Sequence, residues 1–352
     1  MSVDADKLNA FMGKMLVDVG AAINTSLMLI GDKLGLYKAL ANGGPMTSKD
    51  LANATGTAER YVREWLAAQA ASGYVNYDTA AGKFSMSAEQ AMVFADEDSP
   101  VFMGAVGDLV AATILDEPKI EEAFRTGKGV GWSERSTCLF CGTARFFRAS
   151  YKHHLVQEWL PALEGVVDKL NRGALVADVG CGHGISTMLM AHAFPKSSFC
   201  GFDYHEGSID AARRSAEAAG LGERVKFEVH TAKTFPAQGY DLVCFFDCLH
   251  DMGDPVGALR HVGETIKDDG SCMLVEPFAN DRLEDNLNPV GRIYYAASTV
   301  VCTPASLAQE IGVALGAQAG EARLRDIARQ AGFSRFRRAT ETPFNLILEA
   351  QP

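Results

Sequence analysis

Four groups of residues in this 352-residue chain have the types and spacing for chemistry. The first is Val176-Ala-Asp-Val-Gly-Cys-Gly-His-Gly184, an apolar run ending in glycines at alternate positions, Gly180, Gly182 and Gly184. Without a Cβ, such a turn can bend sharply and let a ligand come close to the backbone. A run rich in Met, Leu and Ala follows, from Ile185 to Ala193. Strand, glycine turn and helix together aim backbone N–H groups at a ligand at a helix N-terminus. The second group is Asp203, which ends the apolar run Ser198-Phe-Cys-Gly-Phe-Asp203. Its two oxygens can accept from both hydroxyls of a ribose. The third is Cys248-Leu-His-Asp-Met-Gly-Asp-Pro255, where His250 titrates near neutrality and suits a general base. The fourth is Cys138-Leu-Phe-Cys141. Zinc needs two more ligands at matching spacing, and a redox pair needs a thioredoxin-like surround. Neither accompanies this pair, so no metal or redox role is expected.

The elements that must position these groups alternate regularly. Apolar runs at 175–179, 198–202, 225–229, 241–246 and 271–276 are separated by helical patterns at 185–193, 207–219 and 254–267. That alternation predicts an α/β fold with a parallel, doubly wound sheet. Ligands of such sheets lie beyond the carboxyl ends of the strands, at the switch point. The residues at those ends are the glycines, Asp203 with Tyr204, Thr231 with Ala232, and Phe246, Asp247 and Cys248. The dinucleotide fingerprint G-x-G-x-x-G is not met, because its third position falls on Ile185. This disfavours a nicotinamide oxidoreductase.

Towards the N-terminus, residues 8–40 read as two helices from the helical spacing of Phe11, Met15 and Val19, and of Leu27, Ile30, Leu34 and Tyr37. Thr47 or Ser48 can cap a short helix, Gly56 makes a turn, and Thr57 can cap a second helix. Gly73–Tyr77 and Lys83–Ser87 alternate like the arms of a small hairpin. Residues 23–95 therefore resemble a winged helix. Its second helix balances Arg60 and Arg63 with Glu59 and Glu64, which is poor chemistry for DNA.

A formal net charge of −11 argues against unaided binding to nucleic acid or anionic membrane. The eight cysteines are scattered, several in apolar runs, as in a reducing compartment. The acidic start, Met1-Ser-Val-Asp-Ala-Asp, is unlike a signal peptide. No uncharged apolar stretch reaches the roughly 18 residues of a membrane span. A cytoplasmic location is expected.

The glycine run with Asp178 resembles Asp-x-Gly-x-Gly-x-Gly, the first motif of class I S-adenosylmethionine (SAM) methyltransferases. Gly332-Phe333 after an amphipathic run at 321–331, and the final apolar run 344–349, resemble the end of that fold. The resemblance implies a Rossmann-like seven-stranded sheet with an N-terminal winged-helix domain. It divides the chain into a dimerising winged helix (1–95), linker helices over the active site (96–160) and a SAM-binding domain (161–352) with a substrate-cap insertion at 279–320. In the family, the aspartate at Asp178 stands beside the glycine loop, near the methionine part of the cofactor. The resemblance places SAM against Gly180, Cys181, Gly182, Gly184, Asp203 and Tyr204. It also brings the cofactor to Thr231, Ala232, Phe246, Asp247 and Cys248. Tyr151 or Arg148 would meet its carboxylate. The family often has an aspartate where Thr231 stands, so that adenine contact is open.

Leu249-His-Asp-Met resembles the L-H-D-W stretch of small-molecule O-methyltransferases, whose histidine is the general base; His250 falls on that place. His153 and His154 are further candidates. The expectation is methyl transfer from SAM, leaving S-adenosylhomocysteine (SAH), to a small-molecule hydroxyl. Phe102, Phe147, Tyr294 and Tyr295 suggest an apolar acceptor pocket. Transfer to nitrogen or sulfur, and a SAM-sensing transcription factor, stay open as alternatives. Plant-type relatives use the winged helix to dimerise, and a homodimer is expected here.

Overall fold

The computed structural model describes residues 3–352. They form two compact units: residues up to Ala112 with Cys141–Ala149, and Thr113–Phe140 with Ser150–Pro352. The stretch read as linker helices is thus divided between them.

The first unit opens with one long helix, Ala5–Lys33, rather than a short one, capped by the Asp4 carboxylate, which accepts from Asp6 N at 3.0 Å. A second helix follows at Leu36–Gly43. The long helix shows Leu8, Phe11, Met12, Leu16, Val17 and Ile23 to solvent, each about half exposed or more. By length and composition it is apolar enough to cross a membrane, which counting uncharged runs did not detect. Thr47 caps Ser48–Thr55 through a capping box with Asp50, and Gly56 ends that helix at φ +65°. The next helix, Glu59–Ala71, is capped at Ala58, not at Thr57; the Thr57 hydroxyl pairs instead with Thr55 at 2.8 Å. The wing is β1 (Asn76–Asp78) antiparallel to β2 (Lys83–Ser85). Leu40, Leu51, Val62, Trp65, Leu66 and Phe94 close the core of this unit. Arg60 pairs with Glu64 at 2.7 Å and Arg63 with Glu59 at 2.6 Å, so the helix neutralises itself.

In the second unit the strands are β3 (Leu175–Val179), β4 (Ser198–Asp203), β5 (Val225–Val229), β6 (Tyr240–Phe246), β7 (Ile266–Pro277), β8 (Arg335–Glu341) and β9 (Asn345–Gln351). They form one sheet in the order β5-β4-β3-β6-β7-β9-β8. β3 to β7 run parallel, while β9 is antiparallel to β7 and to β8. Central strands read as continuous apolar runs because helices cover both faces. Phe202, Tyr240, Phe245, Leu259, Leu274, Ile327 and Leu348 are buried together there. The chain builds outwards from β3 to β5, then returns to lay β6 on the other side of β3. That reversal opens a crevice beyond the carboxyl ends of β3 and β6. β7 begins at Ile266, so Lys267–Gly270 lies within the strand beside a register shift at Tyr240/Leu242.

Candidate active site

The crevice is built from local backbone demands. Gly180, Gly182 and Gly184 sit at φ +76°, +53° and +74°, where L side chains are strained. Two of them also meet close neighbours. A Cβ on Gly180 would fall 2.7 Å from Cys248 Sγ, and one on Gly184 would fall 2.4 Å from Phe227 Cζ. Gly182 is different: a Cβ there meets nothing within 4 Å, so it borders open space.

Acids anchor this bend from both sides. Gly180 N and Cys181 N donate to Phe202 O at 2.7 and 3.1 Å. Asp203 Oδ2 accepts from Gly182 N at 3.0 Å and Oδ1 accepts from His205 N at 2.8 Å. Burial pushes this carboxyl above its ordinary range. Asp178 is fully buried, and its Oδ2 accepts from Ser186 Oγ at 2.7 Å and Thr187 Oγ1 at 2.6 Å. It fastens the first turn of the Ile185–Ala193 helix to β3, and burial raises it to about 6.

On the other side of the crevice, Asp247 holds φ +50° at the end of β6. Its Oδ2 accepts from Tyr151 Oη at 3.3 Å and its Oδ1 from Asn345 Nδ2 at 2.7 Å. Burial, with Glu276 nearby, pushes this carboxyl to about 8. The Cys248 thiol donates to Val179 O at 3.2 Å, which binds this edge to the glycine bend. His250 follows in a 3-10 turn, Leu249–Asp251, and is only 3% exposed. Its Nδ1 lies 2.6 Å from Glu276 Oε2, while Glu276 Oε1 accepts from Leu249 N at 3.0 Å. With Nδ1 turned to Glu276, Nε2 is left as the exchangeable ring nitrogen. Nε2 lies 3.2 Å from Asp251 Oδ1. Burial opposes charge on the ring, but the Glu276 and Asp251 carboxylates outweigh it and raise His250 well above its ordinary value.

Comparison with known proteins agrees with this geometry. Residues 170–332 match a family model described as a methyltransferase domain, and residues 21–95 match an Rv2258c-like winged HTH domain. The chain thus joins a winged HTH domain to a methyltransferase domain of the class I SAM fold. Over 182 residues it is 30% identical to the O-demethylpuromycin-O-methyltransferase of Streptomyces alboniger, covering 50% of this chain and 45% of that one. The match thus spans less than half the length of that curated relative. The fold is also that of a putative O-methyltransferase from Nostoc punctiforme, at TM-score 0.71 and 16% identity over the whole of both chains. Human N-acetylserotonin methyltransferase, solved with SAM, superposes at TM-score 0.71 and 17% identity, over 100% of this chain and 99% of that one.

The other expected site residues are divided between the two units. Phe246 is buried at the end of β6. Tyr204 is 47% exposed beside Asp203. The Thr231 hydroxyl is engaged by Thr234 Oγ1 at 3.0 Å in a local turn, with Ala232 half-buried behind it. Tyr151 reaches the crevice through Asp247, but Arg148 belongs to the first unit and lies 3.7 Å from Asp98. His154 pairs with Glu158 at 2.9 Å and stacks on Trp159. Tyr294 donates to Phe344 O at 2.7 Å, and Tyr295 is half-buried on the same helix, Pro289–Ala297. Phe102 and Phe147 belong to the first unit, where Phe102 lies under Arg145 at 5.2 Å. Among the described residues, the cysteines at 138 and 141 are free thiols.

Sequence reasoning missed Glu276 and Asn345. Glu276 was visible only as the acid ending the fifth apolar run, and nothing in its spacing pointed to His250. Asn345 begins β9, which antiparallel pairing brings beside the end of β7.

Proposed function

We propose that this chain transfers a methyl group from SAM to a hydroxyl of a small molecule, with His250 as general base. The observation that carries the reading is the His250–Glu276 pair, which leaves Nε2 to exchange a proton two residues beyond Cys248, whose thiol binds the glycine strand.

The residues present suit the cofactor. Each Asp203 oxygen accepts one backbone N–H and keeps a second lone-pair position for a ribose hydroxyl. Gly182 borders open space where an adenosyl group needs room beside the backbone. Asp178, Asp203 and Asp247 stand at the ends of the strands, and burial raises all three carboxyls. Gly180, Cys181, Gly182 and Gly184 would hold the cofactor's amino-acid end with Asp247 and Cys248. Asp203 and Tyr204 would hold its ribose and adenine, with Thr231, Ala232 and Phe246 bordering the ring. Bound SAM supplies an electrophilic methyl on a positively charged sulfur.

The remaining task belongs to the chain. It must hold the acceptor in line and remove its proton. Glu276 fixes the imidazole plane and tautomer, so Nε2 is the atom that takes the proton. Tyr294 and Tyr295 line an apolar approach from the 279–320 insertion. Calorimetry with SAH, followed by methyl transfer to a panel of hydroxyl, amine and thiol acceptors, tests the reading. Tight SAH binding with turnover on hydroxyl compounds supports it; no SAH binding sinks it, and turnover confined to amines or thiols removes the oxygen assignment.

The first unit is assigned to homodimerisation. The Ala5–Lys33 helix shows an apolar surface that a second copy would cover. Lys14 pairs with Asp18 at 2.5 Å in the middle of that helix, and charge in mid-bilayer is costly, which favours a protein partner over lipid. Light scattering should find a dimer, and Phe11→Glu with Leu16→Glu should give a monomer. A wild-type monomer ends this assignment.

A further inference from the structure

We propose that His250, Asp251 and Cys302 form a zinc-binding site that switches the crevice off. A ring nitrogen of His250, a carboxylate oxygen of Asp251 and the Cys302 sulfur lie within 4.8 Å of one another. His250 and Cys302 are 3% and 7% exposed. Tetrahedral zinc, with bonds of about 2.0–2.3 Å, separates its ligand atoms by roughly 3.3–3.8 Å, so the cluster needs only a small closure. One nitrogen, one oxygen and one sulfur make a donor set that zinc accepts and that magnesium or calcium does not.

Two independent features point to a ligand. Metal-bound histidines characteristically donate their other N–H to a carboxylate, and His250 Nδ1 lies 2.6 Å from Glu276 Oε2. In addition, Asp251 Oδ1 is buried without a hydrogen bond of ordinary geometry, although His250 Nε2 is 3.2 Å away and the Cys302 thiol interacts with the same carboxylate. A buried acceptor left in that state has a cost, which a bound cation would remove.

The site is held ready by contacts that have nothing to do with a metal. Cys302 ends a π-helical turn, Ser298–Cys302, and lies far along the chain from His250. Ser306 Oγ donates to Met252 O at 2.8 Å, and Gln309 Nε2 donates to Asp251 O at 2.8 Å. Gly253 N donates back to Gln309 Oε1 at 3.1 Å. These bonds fasten the His250 turn to the segment carrying Cys302. Arg135 donates to Val300 O on the same segment, and its charge also acts on Asp251.

The charges balance. Zinc displaces the Cys302 thiol proton and any proton on Nε2. One thiolate and one carboxylate then neutralise the ion, and a fourth position remains for water. A ligated Nε2 has no lone pair for an acceptor proton. That inhibitory consequence rests on the base role given to His250, whereas metal binding itself does not.

The test uses the full chain, loaded with zinc chloride, dialysed and analysed by plasma mass spectrometry. About one equivalent should be retained. Cobalt substitution should give tetrahedral visible bands and a thiolate charge-transfer band. Cys302→Ser should abolish that charge-transfer band, and Glu276→Gln should weaken zinc by about 10–100-fold. Cys141→Ser, which removes the exposed thiol, should change neither. Should Cys302→Ser fail to fold by circular dichroism, loss of zinc affinity in Asp251→Asn carries the test instead. No retained zinc in the wild type, or unchanged zinc affinity in these variants, overturns the proposal. SAH calorimetry on the metal-free chain separates that failure from failure of the cofactor reading.

Discussion

The glycine bend offers two substitutions of the same chemistry with opposite outcomes. Gly182→Ala and Gly184→Ala each add one methyl at positive φ, +53° and +74°. Left-handed backbone costs an L residue about 1–2 kcal/mol. At Gly182 that is the whole structural cost, because the new Cβ meets nothing within 4 Å. At Gly184 the methyl falls 2.4 Å from Phe227 Cζ and 3.1 Å from Ala212 Cβ. Overpacking of that kind adds about 1–3 kcal/mol, for a total near 2–5 kcal/mol. Urea unfolding of the cofactor-free protein should therefore find Gly184→Ala clearly less stable than Gly182→Ala. Calorimetry with SAH should rank Gly182→Ala as the folded variant with impaired binding, because its methyl projects into the space assigned to the ligand. A loss of at least about 1.4 kcal/mol, or tenfold, is expected beyond any effect of stability. Wild-type SAH affinity in a folded Gly182→Ala protein would refute the assignment of that space. Equal stability of the two variants would refute the packing argument.

Asp203→Ala should weaken SAH by about 1.5–3 kcal/mol, the scale of a charged hydrogen bond lost; a change below about 0.3 kcal/mol counts against the ribose contact. His250→Ala should keep SAH affinity and lower turnover by about 10²–10⁴-fold, and full activity would remove the base. Because His250 is raised above 6.5, wild-type turnover should climb with pH as the ring loses its proton, and a flat profile from pH 6 to 9 would contradict this. The same shift stabilises the fold below the unfolded value, about 6.5, and that contribution disappears as pH rises through the folded one. Asp247 is also raised, from 3.8 to about 8, so the fold gains from its protonation below 3.8 and loses that gain as pH climbs to about 8. Asp247→Asn keeps the shape and tolerates φ +50°. It should be stabilising relative to wild type at pH 9 and close to neutral at pH 4, and the reverse order would overturn the burial argument.

Much of the sheet and half of the crevice are legible in the residue order. A strand buried on both faces must be apolar throughout, so the central strands declare themselves. A bend at positive φ asks for glycine at the position itself, so the run 180–184 does too. The winged helix is equally local: Thr47, Asp50 and Gly56 write its first helix within ten residues. Capping was misread at Thr57 because Ala58, with no side-chain bond to offer, takes the cap position on backbone geometry alone. The exposed apolar surface of Ala5–Lys33 was equally invisible, since its i, i+4 spacing looks the same whether the face is buried or bare.

Sequence alone determined which segments become the central strands, where the backbone must turn through glycine, and which acid stands at the end of β4. Tertiary structure decided what those groups touch. Glu276 reaches His250 because β6 and β7 lie side by side in parallel, and Asn345 reaches Asp247 because β9 runs back beside β7. Cys302 reaches the same imidazole because Ser306 and Gln309 bind its segment to the turn after β6. The physical reason is range. Backbone conformation and burial of a strand depend on a few neighbouring residues, whereas a side-chain pair depends on register and topology, which the whole chain sets together.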